Sequence, residues 1–387
     1  MSSTGNRSGI GVILTARLFY SINWYNVSPA LVPIGHAYGI SLAETSLSLT
    51  LFLVGAGIFQ VPAGIVASRI GARRTALMGL YLMSTAAILT SISPSFEVLL
   101  ALRFAVGVGA AMFFSTAIAL LNDLATGSLT SVIGYYNASF NLGAGMGIIA
   151  FTPVVSLLGW RYDFLISGSL ELASAILLNV LIRETGVYPE FDFSGLRKRL
   201  MNRQIWIIGV GLVGLWSLNY TLPEYFKAFA SSVGVGSFAA GAMGGLVPMA
   251  GVVGGTVAGM FRRYNPIKLS ILLVIAVGIS VALMGTASHA EYWGIAVEVG
   301  IIATVIISLE YAIVASIEKS SRYMSLNIGL INSIQIGIGS VIPLIFGIIV
   351  QGSAGSYTYA WLFLGLFSIS TLVFLVGLGR NTRITLA

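Results

Sequence analysis

The sequence predicts an all-α membrane protein with twelve transmembrane helices in two pseudo-symmetric six-helix bundles. Of its 387 residues, 57% are hydrophobic and only 9% are charged, and the mean hydropathy is +0.94. Soluble domains carry about 25% charged residues, so this composition excludes a water-soluble enzyme and a disordered chain. The chain also contains 46 Gly, and glycine within apolar segments is typical of helices that pack closely in lipid.

Twelve apolar runs each approach the roughly 20 residues that a helix needs to cross a bilayer. These runs lack the alternation of apolar and polar residues that strands of a transmembrane barrel require, so we interpret each run as a helix. The predicted helices cover approximately residues 11–35, 42–67, 75–93, 97–121, 128–155, 163–182, 204–228, 236–260, 268–287, 291–316, 323–350 and 357–379.

The basic residues predict the orientation of these helices. With an even number of helices, both termini share one side with the loops that follow helices two, four, six, eight and ten. That side carries most of the 20 Lys and Arg residues, and the positive-inside rule makes it cytoplasmic. We therefore expect a multi-pass plasma-membrane protein with both termini in the cytoplasm. The net charge of +7 then reports topology and requires no nucleic-acid partner.

A polar connector at the midpoint divides the chain into two halves. It predicts an N-terminal bundle over 1–182, a cytoplasmic linker over 183–203 and a C-terminal bundle over 204–387. The halves also resemble each other, since GWRYDFLISG in the first half matches SYTYAWLFLG in the second. Two six-helix units in parallel repeat are typical of transporters whose solute site lies between the halves near the bilayer midplane.

The loop after helix two carries a family resemblance. Residues 64–74, GIVASRIGARR, are similar to the signature loop of the major facilitator superfamily, which reads Gly, three residues, Asp, Arg, one residue, Gly, one residue and a basic pair. Degenerate related motifs follow at 102–109 and 255–263. The resemblance covers the whole chain. It implies the twelve-helix fold of that family and secondary transport by alternating access, and we expect a monomer.

In this family, the Asp of the loop belongs to a cytoplasmic charge network that latches the outward-facing state. The resemblance therefore implies a conformational latch at Ser68, Arg69, Arg73 and Arg74, in which Ser68 replaces the usual Asp. Helix five, with NLGAGMG at 141–147, is also similar to nitrate/nitrite porters and cyanate permeases. Those porters hold nitrate with Arg on helices two and eight. Because helix two here has no Arg, we do not expect nitrate itself.

Two arginines lie inside predicted helices, where a charged side chain costs about 2.5–3.5 kcal/mol. Arg103 in helix four is expected to attract an anionic solute or to take part in proton coupling; the alternative is a structural tie to backbone carbonyl groups. Arg17 in helix one shares a face with Tyr20 and Trp24. Arg17 either faces the bundle interior with these two residues or, as the alternative, extends its side chain toward the inner membrane surface.

Carboxylates inside helices are candidates for proton transfer, because apolar surroundings favour their protonated form. Glu298 in helix ten is the first candidate and Glu310 in the same helix is the second; a structural ion pair is the alternative for each. Glu171 in helix six is expected to be structural. Glu224 and Lys227, three residues apart in helix seven, are expected to pair near the outer surface.

Uncharged polar and aromatic residues recur at helical spacing on helices one, five, seven and eleven. We expect these stripes to line the solute cavity, and the alternative is that they hydrogen-bond neighbouring helices together. With Arg103, the candidate solute-binding residues are Tyr20, Trp24, Arg103, Asn137, Asn141, Trp216, Asn219, Tyr220, Asn332 and Gln335.

These features predict a secondary active transporter that moves a small organic solute, expected to be anionic, by alternating access coupled to protons. The alternative is a proton-driven efflux pump for amphipathic or drug-like compounds. The chain has no Cys and two His, so we expect no enzyme activity, no metal site and no cofactor. The expected partners are a small-molecule solute, protons and membrane lipid.

Overall fold

A computed structural model of the protein describes residues 3–124, 129–183, 193–261, 263–317 and 321–381. Over these residues the regular structure is helical and contains no strand. Helices cover the described part of each of the twelve predicted runs, so the predicted all-α fold of twelve helices is confirmed. We refer to the twelve helical traverses as spans 1 to 12.

In the first half of the chain the described residues form nine helices, and three of the spans are each interrupted once. Span 1 is α1 (Ser3–Tyr25) and α2 (Val27–Tyr38), span 2 is α3 (Leu42–Ile58) and α4 (Gln60–Ile70), span 3 is α5 (Ala72–Thr90), span 4 is α6 (Phe96–Leu124), span 5 is α7 (Leu129–Ile149) and α8 (Phe151–Leu158), and span 6 is α9 (Trp160–Leu181).

A short helix, α10 (Phe193–Leu200), lies in the connector before the second half. Span 7 is α11 (Arg203–Gly211) and α12 (Val213–Ser232), span 8 is α13 (Ser237–Val257), span 9 is α14 (Pro266–Ala282), span 10 is α15 (His289–Ile317), span 11 is α16 (Ser321–Gly339) and α17 (Ile342–Gly352), and span 12 is α18 (Thr358–Ser370) and α19 (Leu372–Asn381).

By length and hydropathy, nine segments within the described residues can each cross a membrane. The pair α3 and α4, which bends by 46°, makes a tenth. The two remaining spans, 1 and 3, are among the less apolar of the twelve. Because the spans alternate in direction, α1 begins and α19 ends on one side of the bundle. We call this side the terminal side and the opposite side the far side.

Glycine lets neighbouring spans touch backbone to backbone. A Cβ atom at Gly55 would lie 2.6 Å from the carbonyl oxygen of Phe104, and one at Gly107 would collide with the carbonyl oxygen of Phe52. These contacts join spans 2 and 4. Spans 5 and 8 meet in the same way across the two halves, at Gly145 and Gly245.

The two halves close against each other on the far side. There α2 packs against α12, and α3 packs against α17. The Ser28 hydroxyl donates a hydrogen bond to the carbonyl oxygen of Pro223 at 2.9 Å, and Lys227 Nζ donates to that of Pro29 at 3.3 Å. On the terminal side, by contrast, Tyr135 at the beginning of span 5 is 62% exposed. The interior is therefore sealed on the far side and accessible from the terminal side.

We expect Gly107→Ala to lower the free energy of unfolding by about 1–3 kcal/mol, because the added methyl group pushes spans 2 and 4 apart. The matched control is Gly294→Ala in span 10, where an added Cβ meets nothing within 4 Å; there alanine should be neutral or stabilising through its higher helix propensity. Denaturation of both variants in detergent measures the difference. Equal stability of the two would contradict the packing assigned to Gly107.

Candidate functional site: a central cavity between the halves

A cavity of about 560 Å³ lies between the two halves. Its walls come from spans 1, 2, 4 and 5 of the first half and from spans 7, 8, 10 and 11 of the second. Tyr135 and Thr256, at the terminal-side ends of spans 5 and 8, belong to its lining and are exposed. The cavity thus opens toward the terminal side.

Eight of the ten predicted solute-binding residues line this cavity. They come from spans 1, 5, 7 and 11, the four helices whose polar stripes predicted a lining. The structure brings together Tyr20, Trp24, Asn137, Asn141, Trp216, Asn219, Tyr220 and Asn332. The other two, Arg103 and Gln335, lie outside the lining.

Several lining residues were not among the predicted solute-binding residues. Phe140 occupies the same face of span 5 as Asn137 and Asn141, so the helical spacing held a signal for it. Phe114 and Gln60 come from spans 4 and 2, which carry no recognisable polar stripe. Arg17, Tyr25 and Tyr311 also belong to the lining and were not predicted to bind the solute.

The far side of the cavity is closed by an aromatic layer. The Trp24 ring lies 5.8 Å from Tyr20, 4.7 Å from Phe52 and 5.8 Å from Phe140 between ring centroids. Trp24 and Tyr220 also border a small void on the opposite face of this layer. One layer of rings therefore separates the central cavity from the far-side contacts of the halves.

Arg17 lies in the cavity wall and is only 3% exposed. Its guanidinium carbon lies 4.3 Å from the ring centroid of Tyr136, 4.5 Å from Phe140, 4.6 Å from Tyr20 and 5.0 Å from Phe114. The alternative in which Arg17 extends to the membrane surface is therefore wrong. Its Nε and Nη1 atoms are buried without a hydrogen-bond partner, and the rings compensate the charge through cation–π contacts.

Arg103 lies behind the aromatic layer, fully buried in span 4. It donates a hydrogen bond to the carbonyl oxygen of Asn23 at 3.3 Å, and its guanidinium carbon lies 4.8 Å from the Phe52 ring centroid. Its electrostatic partners are Asp163 and Glu224. This geometry corresponds to the structural tie that the sequence left open for Arg103.

The surroundings of Arg103 form a buried polar cluster between spans 1, 4, 6 and 7. Asn26 donates to Asp163 at 3.0 Å, and Asn23 donates to Glu171 at 2.7 Å. Glu224 reaches this cluster from span 7 and is 4% exposed. The predicted pair of Glu224 with Lys227 is wrong, because Lys227 instead donates to a carbonyl oxygen of span 1. The spacing of Glu224 and Lys227 suggested a pair on one helix. Because span 7 packs against span 1, the two side chains instead meet different neighbours.

Glu310 lies directly behind the cavity wall and is 1% exposed. The indole nitrogen of Trp216 donates to one of its carboxylate oxygens at 3.0 Å, and the Gln335 amide donates to the other at 3.0 Å. Glu298 is half-buried and accepts a hydrogen bond from Ser280 of span 9 at 3.0 Å. The structure therefore places Glu310 beside the cavity and does not bring Glu298 to it.

The loop predicted to act as a latch is anchored within the first half. Gly71 adopts a φ of 95°, a conformation that favours glycine, and so makes the turn between α4 and α5. Arg73 donates to the carbonyl and side-chain oxygens of Asn179 at 2.6 and 2.8 Å. The Ser68 hydroxyl bonds within its own helix, to the carbonyl oxygen of Ile65, and Arg69 is exposed.

A twelve-span protein whose halves enclose a central cavity, sealed on one side and open on the other, has the architecture of a secondary transporter. Comparison with known proteins agrees. The model of the Major Facilitator Superfamily matches residues 13–342, so the chain belongs to this family. It is a multi-pass membrane transporter and not an enzyme.

Individual relatives are distant. The chain is 22% identical to "Probable anion transporter 6, chloroplastic" of Arabidopsis thaliana, over 95% of this chain and 77% of that one. It is 23% identical to "Probable sulfoacetate transporter SauU" of Cupriavidus necator, over 92% and 90%. "Multidrug efflux protein YfmO" of Bacillus subtilis is 33% identical, but over only 36% of this chain and 35% of the relative.

Among solved structures, the fold resembles a bacterial homologue of the human lysosomal transporter Spinster in an inward-facing and occupied conformation. The TM-score is 0.79, with 16% identity over 99% of this chain and 98% of that one. The predicted resemblance to the major facilitator superfamily is thus confirmed. Similarity to the nitrate/nitrite porters remains a prediction.

We expect Arg103→Met to act on stability, because it leaves Asp163 and Glu224 buried without their cation. Breaking a buried charge cluster in this way costs about 3–5 kcal/mol. Arg161→Met is the control, since Arg161 is exposed at the far side, where it contacts the Trp160 ring and backbone carbonyl groups but no carboxylate within the described residues. Thermal denaturation of both variants, with solute affinity measured on the folded fraction, tests this. A normal stability with lost solute affinity would restore Arg103 as a binding residue.

Proposed function

We propose that this protein is a secondary active transporter that moves a small organic anion by alternating access, coupled to protons. The observation that carries this proposal is the charge of the cavity. Within the described residues, Arg17 is the one charged side chain in the cavity lining. In this proposal the protein is a plasma-membrane monomer with cytoplasmic termini.

A guanidinium without a carboxylate partner favours an anionic solute. Coulombic interactions are strong where the effective dielectric constant is low, and hydrogen bonds to charged groups are stronger than neutral ones. The same unopposed charge repels a cation. The volume of about 560 Å³ lies within the range of small-molecule sites, and the names of the Arabidopsis and Cupriavidus relatives, an anion and a sulfoacetate transporter, support an anion as well.

Alternating access follows from the way the halves meet. In this proposal the bundles 1–182 and 204–387 rock against each other, and the linker 183–203 joins them on the cytoplasmic side. Opening the far side would break the bonds of Ser28 and Lys227 across the halves. The close contacts of spans 5 and 8 would serve as the pivot.

Proton coupling is assigned to Glu310 in preference to Glu298. Both carboxylate oxygens of Glu310 accept hydrogen bonds, which suits its ionised form. After protonation, its hydroxyl needs an acceptor. The amide oxygen of Gln335 is buried without a partner, so rotation of this amide supplies one, whereas the Trp216 indole can only donate. Trp216 belongs to the cavity lining, so the protonation state of Glu310 acts on the shape of the solute site.

We expect Glu310→Gln to abolish accumulation of the solute driven by a pH gradient while counterflow exchange continues. Glutamine keeps the size and the hydrogen bonds of a protonated glutamate but cannot release a proton. The matched control is Glu298→Gln in the same span, which should retain accumulation. Proteoliposomes loaded with solute allow both assays. If Glu298→Gln is the variant that uncouples transport, the carboxylate at the span 9–10 interface carries the proton instead.

The second candidate function is proton-driven efflux of amphipathic or drug-like compounds. Nine lining residues are aromatic, which suits adaptable apolar contacts, and the Bacillus relative is named a multidrug efflux protein. The charge of the transported compound distinguishes the two candidate functions. Efflux of cationic drugs should not depend on Arg17, whereas anion transport should be lost when Arg17 is replaced.

Topology can be tested because the chain contains no cysteine. We expect Lys198→Cys, in α10 of the linker, to resist a membrane-impermeant maleimide in intact cells and to react after lysis. Ser356→Cys, in the loop between spans 11 and 12, should react in intact cells. The reverse labelling pattern would refute the proposed orientation of the termini.

A further inference from the structure

Several buried polar atoms of the cavity wall lack a hydrogen-bond partner. Nε and Nη1 of Arg17 and Nε1 of Trp24 are unpaired donors on span 1. Oδ1 of Asn332 on span 11 and Oε1 of Gln60 on span 2 are unpaired acceptors. Because buried polar groups are normally paired, a solute that satisfies both sets is the natural partner of this wall.

The donors and acceptors belong to different regions of the cavity. Arg17 and Trp24 are two turns apart on one face of α1. Gln60 and Asn332 lie near the seam of spans 2 and 11, where Ser333 donates to the carbonyl oxygen of Gly57 at 2.6 Å. The unpaired donors and acceptors of the wall therefore match a solute that has an anionic group at one end and a hydrogen-bond donor at the other.

The surroundings of Arg17 select the charge of the anionic end. Four rings surround the guanidinium and bury its unpaired N–H groups, so a solute reaches these groups at the guanidinium edge once a ring moves aside. Within the described lining there is no second cation to receive another anionic group. One negative charge matches this wall, and a second would be buried without compensation.

The space between the two ends is bounded by aromatic rings. Tyr20, Trp24 and Phe140 lie 5.8 to 6.4 Å apart between centroids and meet at tilted or edge-on angles. Rings in such arrangements present both faces and edges, and a flat aromatic solute gains from stacked and edge-to-face contacts beyond the area it buries.

We propose that the central cavity binds an aromatic monocarboxylate that carries a hydroxyl or amino group. The carboxylate binds Arg17 and the indole N–H of Trp24, the ring packs against the accessible faces of Trp24 and Phe140, and the donor group bonds Asn332 and Gln60. This inference rests on the proposed function and narrows its solute class. Such a solute bonds span 1 of the first half and span 11 of the second, so it favours closure of the halves around it.

Binding to the purified full-length protein tests the solute class by isothermal titration calorimetry. The probes are benzoate, cyclohexanecarboxylate, 4-hydroxybenzoate and 4-methylbenzoate, with tetraphenylphosphonium as a cationic probe. We expect benzoate to bind several-fold more tightly than cyclohexanecarboxylate. We expect 4-hydroxybenzoate to bind about two- to tenfold more tightly than 4-methylbenzoate, which has the same size but no donor.

Substitutions test the two ends separately. Arg17→Met should weaken binding of every carboxylate about tenfold or more, and Arg17→Lys should weaken it less because the charge is kept. Lys268→Met, an exposed residue outside the cavity, is the control for loss of one positive charge. Asn332→Leu should reduce the preference for 4-hydroxybenzoate over 4-methylbenzoate, which also provides a test if Arg17→Met does not fold.

The outcomes distinguish this inference from the proposed function. Equal affinity for benzoate and cyclohexanecarboxylate, with both lost in Arg17→Met, overturns the aromatic class and leaves anion transport standing. An undiminished preference for 4-hydroxybenzoate in Asn332→Leu overturns the assigned donor end. Binding of tetraphenylphosphonium alone, unaffected by Arg17→Met, overturns both the inference and the proposed anion transport.

Discussion

Burial of charge within the bilayer is the constraint on which the rest of this structure depends. An ionisable side chain in a membrane span is costly unless its neighbours compensate it, and each buried charge here is compensated differently. Arg103 has a backbone carbonyl group and two carboxylates, Glu310 has an indole and an amide, and Arg17 has only aromatic rings. Rings stabilise the cation but leave its Nε and Nη1 atoms unpaired. Because Arg17 lines the cavity and Arg103 does not, Arg17 is the arginine that can meet a solute.

Close helix packing holds the spans of the first half together. Glycine backbone contacts fix spans 2 and 4 within the first half, and Arg73 fixes span 3 to span 6 on the terminal side. Contacts across the halves combine glycine contacts, such as those of spans 5 and 8, with an aromatic layer and a few hydrogen bonds on the far side. In the proposed mechanism this interface changes while each half keeps its shape.

The sequence predicted the fold and most of the cavity lining because both depend on local periodicity. Apolar length defined the spans, and helical spacing brought Trp24, Asn141 and Asn332 to a common stripe on their own helices. It favoured Arg103 over Arg17 as the solute-binding arginine, whereas Arg17 is the one that lines the cavity. Depth along a helix follows from residue number, but the neighbour that a side chain faces follows from the packing of other spans. Glu224 shows the same limit, since the opposite charge that acts on it is Arg103 of span 4, while its sequence neighbour Lys227 bonds to span 1.

The two halves are similar in sequence but differ in charge where they face the cavity. Trp24 and Tyr220, at corresponding positions of the repeat, both line it, whereas Asn23 turns away to Glu171 and its counterpart Asn219 stays in the wall. The first half contributes a cation, Arg17. The second contributes a carboxylate just behind the wall, Glu310. In the proposed mechanism the anion and the proton are thus held by opposite halves, and a solute that reaches both links proton binding to the closure of one half upon the other.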